Sequence, residues 1–236
     1  MLVTAAFIII GDEVLSGRTV EKNLNFLANE LTAMGINLKE VRVVPDDENE
    51  IIDAVNSLRK KFNYIFTSGG IGPTHDDITS ASIAKAFGDD LIKNQEAEKI
   101  LYDYYGKDGV NGARLKMAFV PSKAKLLDNP VSSAPGFMIE NVIVMAGVPK
   151  IMQAMFHASS GYLIGGDKII SKEIITNLTE SIVAEDLSKL QKEYPDIAMG
   201  SYPFSGGTSL VFRGVNNESL EKVVSKMNHL LQGFKS

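Results

Sequence analysis

The densest concentration of reactive residues is a thirteen-residue stretch, Thr67-Ser68-Gly69-Gly70-Ile71-Gly72-Pro73-Thr74-His75-Asp76-Asp77-Ile78-Thr79. Three glycines let backbone N–H groups come close to an anion. Ser68, Thr74 and Thr79 add hydroxyl donors, and His75 can donate to a phosphate or assist proton transfer. Asp76 and Asp77 would repel a phosphate unless a divalent cation lay between them. The pair therefore reads as a metal-ligating couple beside a phosphate. The plainer reading is a strand-to-helix turn with Asp77 or Thr79 as an N-cap; the adjacent acids favour phosphate plus metal. The loop is not a Walker A sequence, because no Gly-Lys-Ser/Thr follows.

Three further loops have residue types suited to the same crevice. Gly11-Asp12-Glu13-Val14-Leu15-Ser16-Gly17 offers two carboxylates, of which Glu13 or Asp12 can orient a water or share a metal, and Asn23 opens the helix that follows. Asn129-Pro130-Val131-Ser132-Ser133-Ala134-Pro135-Gly136-Phe137 is turn-rich. Ala146-Gly147-Val148-Pro149 joins a strand to a helix: Pro149 suits a first helical turn, and Gly147 permits close approach. Ser205-Gly206-Gly207-Thr208 has cradle-like composition but lies between two expected antiparallel strands, so a hairpin turn is the better reading. His157 and His229 fall on expected helices as surface or packing residues, and Met145, Met152 and Met155 read as core filler.

The elements around these loops alternate. Residues 3–10 are a continuous apolar run, as a strand covered on both faces requires. Leu24, Leu27, Ala28, Leu31 and Met34 recur at helical spacing before Gly35, a C-terminal cap. Residues 37–44 form a strand, Asp47-Glu48-Asn49-Glu50 a capping box opening a helix, 63–67 a strand, 68–77 the glycine loop and 79–87 a helix ending at Gly88. This order predicts a doubly wound, mostly parallel sheet with helices on both faces. Residues 94–105 and 111–118 read as helices, 121–137 as turns, and 138–145 as one strand. From about Ile164 the order becomes β-α-β-β-α, a second, smaller α+β domain. The expected domains are 1–163 and 164–236.

Composition narrows the chemistry. Apolar residues make up 44% and charged residues 22%, as in a folded globular chain and unlike a disordered one. Lys and Arg total 24 against 29 Asp and Glu, net −5, which lacks the footprint of a nucleic-acid binder. With no cysteine and three scattered histidines, any metal is expected to be held by oxygen. The apolar run from Leu2 to Ile10 is nine residues, too short for a membrane span. It also lacks a preceding basic residue and a cleavage site, so a buried strand of a cytoplasmic protein without membrane contact is expected.

Taken together and in this order, the four loops resemble those of the MoaB/Mog molybdopterin-binding family, more closely its CinA (competence- and damage-inducible protein A) N-terminal branch. The resemblance covers about Val3 to Ser160. It implies a MoaB/Mog-like α/β fold and puts the family's functional aspartate on Asp77. The remainder, with Gly200-Ser201-Tyr202-Pro203, is similar to the small domain of CinA-like proteins and of the hydrolase half of eukaryotic FAD synthases. Two positions depart from the family pattern: Ala146 and Lys150 flank Gly-Val-Pro, and Ser132-Ser133 precedes Ala-Pro-Gly. The CinA C-terminal amidohydrolase activity is not expected in a chain of 236 residues.

The resemblance implies a pyrophosphatase dependent on a divalent metal (Mg, Mn or Co) and acting on ADP-ribose or FAD. Asp76 and Asp77 would bind the metal, with Asp77, Asp76 and Glu13 catalytic. The expected ligand-binding residues are Gly11, Asp12, Asn23, Ser68, Gly69, Gly70, Gly72, Thr74, His75, Ser133, Pro135, Gly136, Gly147 and Pro149. A molybdopterin-binding protein of cofactor biosynthesis and a non-catalytic nucleotide-binding module are the alternatives. The partner is a phosphate-bearing small molecule in each case, and a homo-oligomer, dimer or trimer, is expected.

Overall fold

The structure, a computed structural model, describes residues 2–234. The chain divides after Gly166 into two compact units. The first contains β1 (Val3–Ile10), α1 (Asp12–Leu15), α2 (Asn23–Ala33), β2 (Ile36–Val44), α3 (Glu48–Arg59), β3 (Tyr64–Ser68) and α4 (Thr79–Ala86). It continues with β4 (Leu91–Lys93), α5 (Gln95–Tyr105), α6 (Gly112–Lys116), β5 (Phe119–Pro121), β6 (Lys125–Leu127), β7 (Gly136–Ile139), β8 (Val142–Met145) and α7 (Pro149–Ser159).

Its main sheet has the order β2-β1-β3-β8-β7-β6. The first four strands are parallel, and β7 and β6 add an antiparallel edge. The nearly all-apolar β1, polar only at Thr4, now has its reason. Ala6, Ile8 and Ile10 point into a core with Ile51, Val55 and Leu58 of α3 and Ile83 of α4. Ala5, Phe7 and Ile9 point the other way, into Leu27 and Leu31 of α2 and Met152, Met155 and Phe156 of α7. Both faces of the strand are dry, so no polar alternation survives. The three methionines are core, as their spacing suggested.

From β1 the chain steps to β2 on one side and then crosses to β3 on the other. The carboxyl ends of β1 and β3 therefore flank a topological switch point, where open α/β sheets place their ligands. Ile9, Ser68 and Met145 stand in one row across β1, β3 and β8. The loops that begin at Gly11, Gly69 and Ala146 therefore leave the same sheet edge.

Local signals set the helix ends. The Asp47 carboxylate caps α3 by accepting from the Asn49 and Glu50 amides, 2.9 and 3.1 Å away. Asn94 and Asn111 do the same for α5 and α6. Three details depart from the sequence expectation. Residues 138–145 are two strands, because Glu140 adopts φ 49° and reverses the chain. Asn141 holds that turn by donating to the carbonyls of Arg59 and Phe62. The turn-rich 121–137 stretch contains β6, and the Gly11 loop contains the single turn α1.

The second unit begins at Asp167 and contains β9 (Ile170–Thr176), α8 (Glu180–Glu193), β10 (Ala198–Phe204), β11 (Gly207–Gly214) and α9 (Asn217–Gly233). Its sheet is antiparallel, in the order β10-β11-β9. Leu210 and Phe212 alternate inward against Val183, Leu220, Val223 and Met227. No helix among the described residues is long and apolar enough to cross a membrane.

Candidate functional site

The glycine loop is wound tightly at its start. Gly69 donates its amide to the Met145 carbonyl at 3.1 Å, which pins the loop to the end of β8. Gly69 and Gly70 have φ of 107° and 66°. A β-carbon on Gly69 would lie 2.1 Å from the Ile10 carbonyl oxygen, and one on Gly70 would lie 2.1 Å from Thr79 Oγ1. Thr79 is fully buried and closes the loop: its hydroxyl donates to the Gly69 carbonyl at 3.0 Å and its amide to the Gly70 carbonyl at 2.9 Å. Thr79 thus acts as a staple inside the first turn of α4.

The acid end of the loop is more open. Asp77 turns back into the loop, where Oδ2 accepts from the Thr74 amide at 2.7 Å and the Thr74 hydroxyl at 2.5 Å. Lys116 of α6 donates to the Thr74 carbonyl and pins this corner from outside. Asp76 and His75 point to solvent, with His75 Nδ1 3.9 Å from Asp76 Oδ1. The Asp76 carboxyl is held below its usual range by hydrogen bonding from the Thr74 hydroxyl and its own amide, helped by the charges of His75 and Lys116. The Thr74 hydroxyl thus serves both acids, with its short 2.5 Å contact on Asp77 Oδ2.

These loops surround a hollow of about 660 Å³. Glu13 enters it from the first loop, Gly69, Gly70, Gly72 and Asp77 from the second, Asn129, Ser132 and Ala134 from the third, and Gly147 and Pro149 from the fourth. The sheet edge thus brings all four motifs to one place. Gly11 is buried beneath the Glu13 carboxylate, which lies 2.5 Å from where a Gly11 β-carbon would stand. Asn23 is buried and donates Nδ2 to the Gly147 carbonyl at 2.8 Å, tying α2 to the fourth loop. Its Oδ1 is buried without a partner. Asn23 and Ser68 line a separate cleft of about 50 Å³ that also touches Glu13, Gly147 and Pro149.

Other expected residues stand elsewhere. Asp12, Thr74, His75 and Asp76 lie on the exposed rim, outside the lining of the large hollow. Ser133 and Pro135 line a neighbouring hollow instead. Gly136 is buried in β7, where a β-carbon would press on the Val144 carbonyl at 2.6 Å; its smallness serves sheet packing.

The structure adds three charged residues that the sequence reading did not single out. Arg114 of α6 lines the large hollow, with its guanidinium 4.2 Å from the Tyr105 ring centre and bonded to the Gly109 carbonyl. Lys116, described above, is the second. The third is Asp46, after β2, which accepts the Asp12 amide at 3.0 Å. Burial, then the like charges of Glu13, Asp12 and Asp76, raise the Asp46 carboxyl above its usual range. Four carboxylates from three different loops therefore share one field.

That field bears on whether the residues fit a divalent cation. All the donors are hard oxygens, and a cation would offset the like charges of Glu13, Asp12 and Asp76 around Asp46. Among the described residues no three acidic or histidine side chains converge into a closed cage. A divalent ion held here would need phosphate oxygens of the ligand in addition to one or two carboxylates. Asp77, with Oδ1 uncommitted, and Asp76 are the side chains that would hold such an ion.

A parallel sheet that opens at its switch point onto glycine-rich loops defines an α/β domain built to receive a ligand at its carboxyl edge. Residues 6–165 match the family described as "Probable molybdopterin binding domain", and residues 168–235 match "FAD synthase, middle domain". The chain belongs to the MoaB/Mog-like molybdopterin-binding domain family, with a FAD-synthase-type middle domain following it. A protein of Archaeoglobus fulgidus is 33% identical over 229 residues, 95% of this chain and 97% of its own length. The "Probable FAD synthase" of Caenorhabditis elegans is 30% identical over 260 residues, covering 98% of this chain, which spans 50% of that protein. The crystal structure of the protein CinA from Thermoplasma acidophilum superposes with a TM-score of 0.65 at 37% identity, covering 67% of this chain and 96% of that one.

Proposed function

We propose that the chain is a divalent-metal-dependent pyrophosphatase that cleaves a nucleotide diphosphate such as FAD or ADP-ribose. The observation that carries this reading is the single hollow where the Gly69–Gly72 backbone, the Arg114 guanidinium and the Asp77 and Glu13 carboxylates meet. Glycine-loop amides and a guanidinium suit phosphate oxygens. Carboxylates in the same place suit phosphate only when a cation is present. The FAD-synthase-type second unit and the Caenorhabditis elegans relative support a flavin dinucleotide among the diphosphates.

In this mechanism the loop amides and Arg114 hold the diphosphate and fix the phosphorus to be attacked. Glu13 takes a proton from the attacking water. The new bond joins water oxygen to phosphorus, the bridging P–O bond breaks, and two monophosphates leave. A divalent ion at Asp76 and Asp77, when bound, supplies positive charge that neutralises the departing phosphate. Asp77 is oriented by the Thr74 amide and hydroxyl. Asn129, Ser132 and Ala134 of the third loop line the same hollow.

A second reading, molybdopterin binding in cofactor synthesis, is favoured by the description of the family matched by residues 6–165. One assay separates the two: purified protein with Mg²⁺, Mn²⁺ or Co²⁺ and FAD or ADP-ribose, with product identified by chromatography. The expected result is two monophosphates, abolished by chelation and restored by metal. Tight molybdopterin binding with no cleavage under any of the three metals overturns the first reading.

A further inference from the structure

Beside the hollow at the four loops lies a second, larger one of about 890 Å³, which the mechanism above leaves unused. The third loop is the wall between them. Ser132 and Ala134 face the first hollow, Ser133 and Pro135 face the second, and Asn129 touches both. Asn129 builds the wall from inside. Its Nδ2 donates to Ser132 Oγ at 2.7 Å and to the Ala134 carbonyl at 2.8 Å, while Oδ1 accepts from the Val131 and Ser132 amides. Its own carbonyl accepts the Ser133 amide at 2.9 Å, with Ser133 in the left-handed region at φ 61°. Every polar atom of this buried side chain is used to fix the turn.

The two hollows differ in chemistry. The first has the glycine amides and Arg114. The second has no arginine and no glycine in its lining. Its one ammonium, Lys125 Nζ, stands 4.0 Å over the Tyr162 ring. Two acidic residues, Glu96 and Asp128, line the space and have no ion-pair partner among the described residues. Ile100, Leu126 and Pro135 give it an apolar side, and His157 and Tyr162 offer ring edges. Such a lining repels phosphate. It accepts a group that has flat apolar surface for ring contact and hydroxyl or amine donors for the carboxylates. That is the chemistry of a nucleoside.

Resting on the pyrophosphatase reading, we propose that the second hollow receives the nucleoside half of a dinucleotide whose diphosphate lies in the first. The third loop then acts as the saddle over which the ligand passes. Ser133 and Pro135 contact the nucleoside rather than the phosphates, and Glu96 and Asp128 accept its hydroxyl or amine protons. The site would thereby select dinucleotides over small diphosphates.

The test is calorimetric binding of FAD, ADP-ribose and inorganic pyrophosphate to the whole chain, wild type and two variants. Ala158→Trp fills the second hollow from an exposed position of α7 outside the first. Asp128→Asn removes one acceptor charge at constant shape. Circular dichroism checks both folds, and Asp128→Asn decides alone if the tryptophan variant is misfolded. The wild type is expected to bind a dinucleotide more tightly than pyrophosphate. Ala158→Trp should weaken the dinucleotide about tenfold, Asp128→Asn by about threefold, and both should leave pyrophosphate unchanged. Dinucleotide affinity unaltered in the folded variants, equal losses for pyrophosphate, or a wild type that prefers neither dinucleotide overturns the proposal. Wild type that shows the predicted preference yet cuts no dinucleotide with any metal removes the hydrolase reading and leaves this one standing.

Discussion

The chain contains the tripeptide Ser-Gly-Gly twice, at 68–70 and 205–207, with a threonine close behind each. The two copies do different work. Gly69 and Gly70 end a parallel strand between two others, and Thr79 Oγ1 ties the loop to the next helix at the mouth of a hollow. Gly206 and Gly207 turn β10 directly into β11, where Phe204 and Gly207 face each other across the hairpin. Thr208 Oγ1 there donates to the Leu178 carbonyl. Composition is the same; the sheet around it decides. A glycine pair at the carboxyl edge of a parallel sheet has a helix dipole behind it and a crevice before it. The same pair in a hairpin joins an edge strand to the middle strand of an antiparallel sheet, and no helix follows it directly.

The comparison breaks most forcefully at its tightest contacts. Gly69→Ala places a β-carbon 2.1 Å from the Ile10 carbonyl at a φ of 107°. A loss of about 3 kcal/mol or more in stability is expected, read by urea unfolding, together with loss of phosphate-ligand binding. Gly207→Ala meets the Thr176 carbonyl at 1.9 Å and should destabilise comparably, but binding at the first unit should survive wherever the chain stays folded. Loss of binding in the folded Gly207 variant would make the two copies functionally alike.

Asp77→Asn keeps the shape and an acceptor for Thr74 while removing charge. Turnover of a dinucleotide is expected to fall about 10²–10³-fold with an unchanged circular-dichroism spectrum. Near-wild-type kcat would take Asp77 out of the chemistry. Arg114→Gln removes the guanidinium of the hollow at the four loops, and the affinity for inorganic pyrophosphate should fall roughly tenfold, measured by calorimetry.

The smallest effect concerns Asp46, whose folded carboxyl titrates above its ordinary range because of burial and the neighbouring acids. The folded state then holds its proton more tightly than the unfolded state. Stability is lost as pH rises from the unfolded value, about 3.9, through the folded one. Asp46→Asn should therefore be more stable than wild type at pH 7, and the gap should close below about pH 4. Denaturant midpoints at both pH values check this. A variant less stable than wild type at pH 7 would show that the Asp12 amide contact outweighs the repulsion.

Much of this was legible in the sequence, for identifiable reasons. The continuous run of β1 announced a strand buried on both faces, and Asp47 announced the start of α3 by its spacing to Glu50. The glycine loop was legible because its geometry is local: φ at Gly69 and Gly70 and the Thr79 staple lie within eleven residues. What stayed hidden depends on distant chain. Arg114 and Lys116 reach the loop from α6, across more than thirty residues of sequence. Asp46 joins Glu13 only through the parallel pairing of β1 and β2. Glu140-Asn141 does interrupt the apolar run, but the reversal was concealed because its positive-φ position is held by a glutamate and no glycine marks the turn.

The contrast between the two glycine pairs is tested most directly by backbone-amide hydrogen exchange of the whole chain, with and without inorganic pyrophosphate and Mg²⁺. Gly70 to Gly72 should exchange more slowly on binding while Gly206 to Thr208 keep their rates. Unchanged exchange at Gly70 to Gly72 under saturating ligand, or new protection at Gly206 to Thr208, would contradict the account.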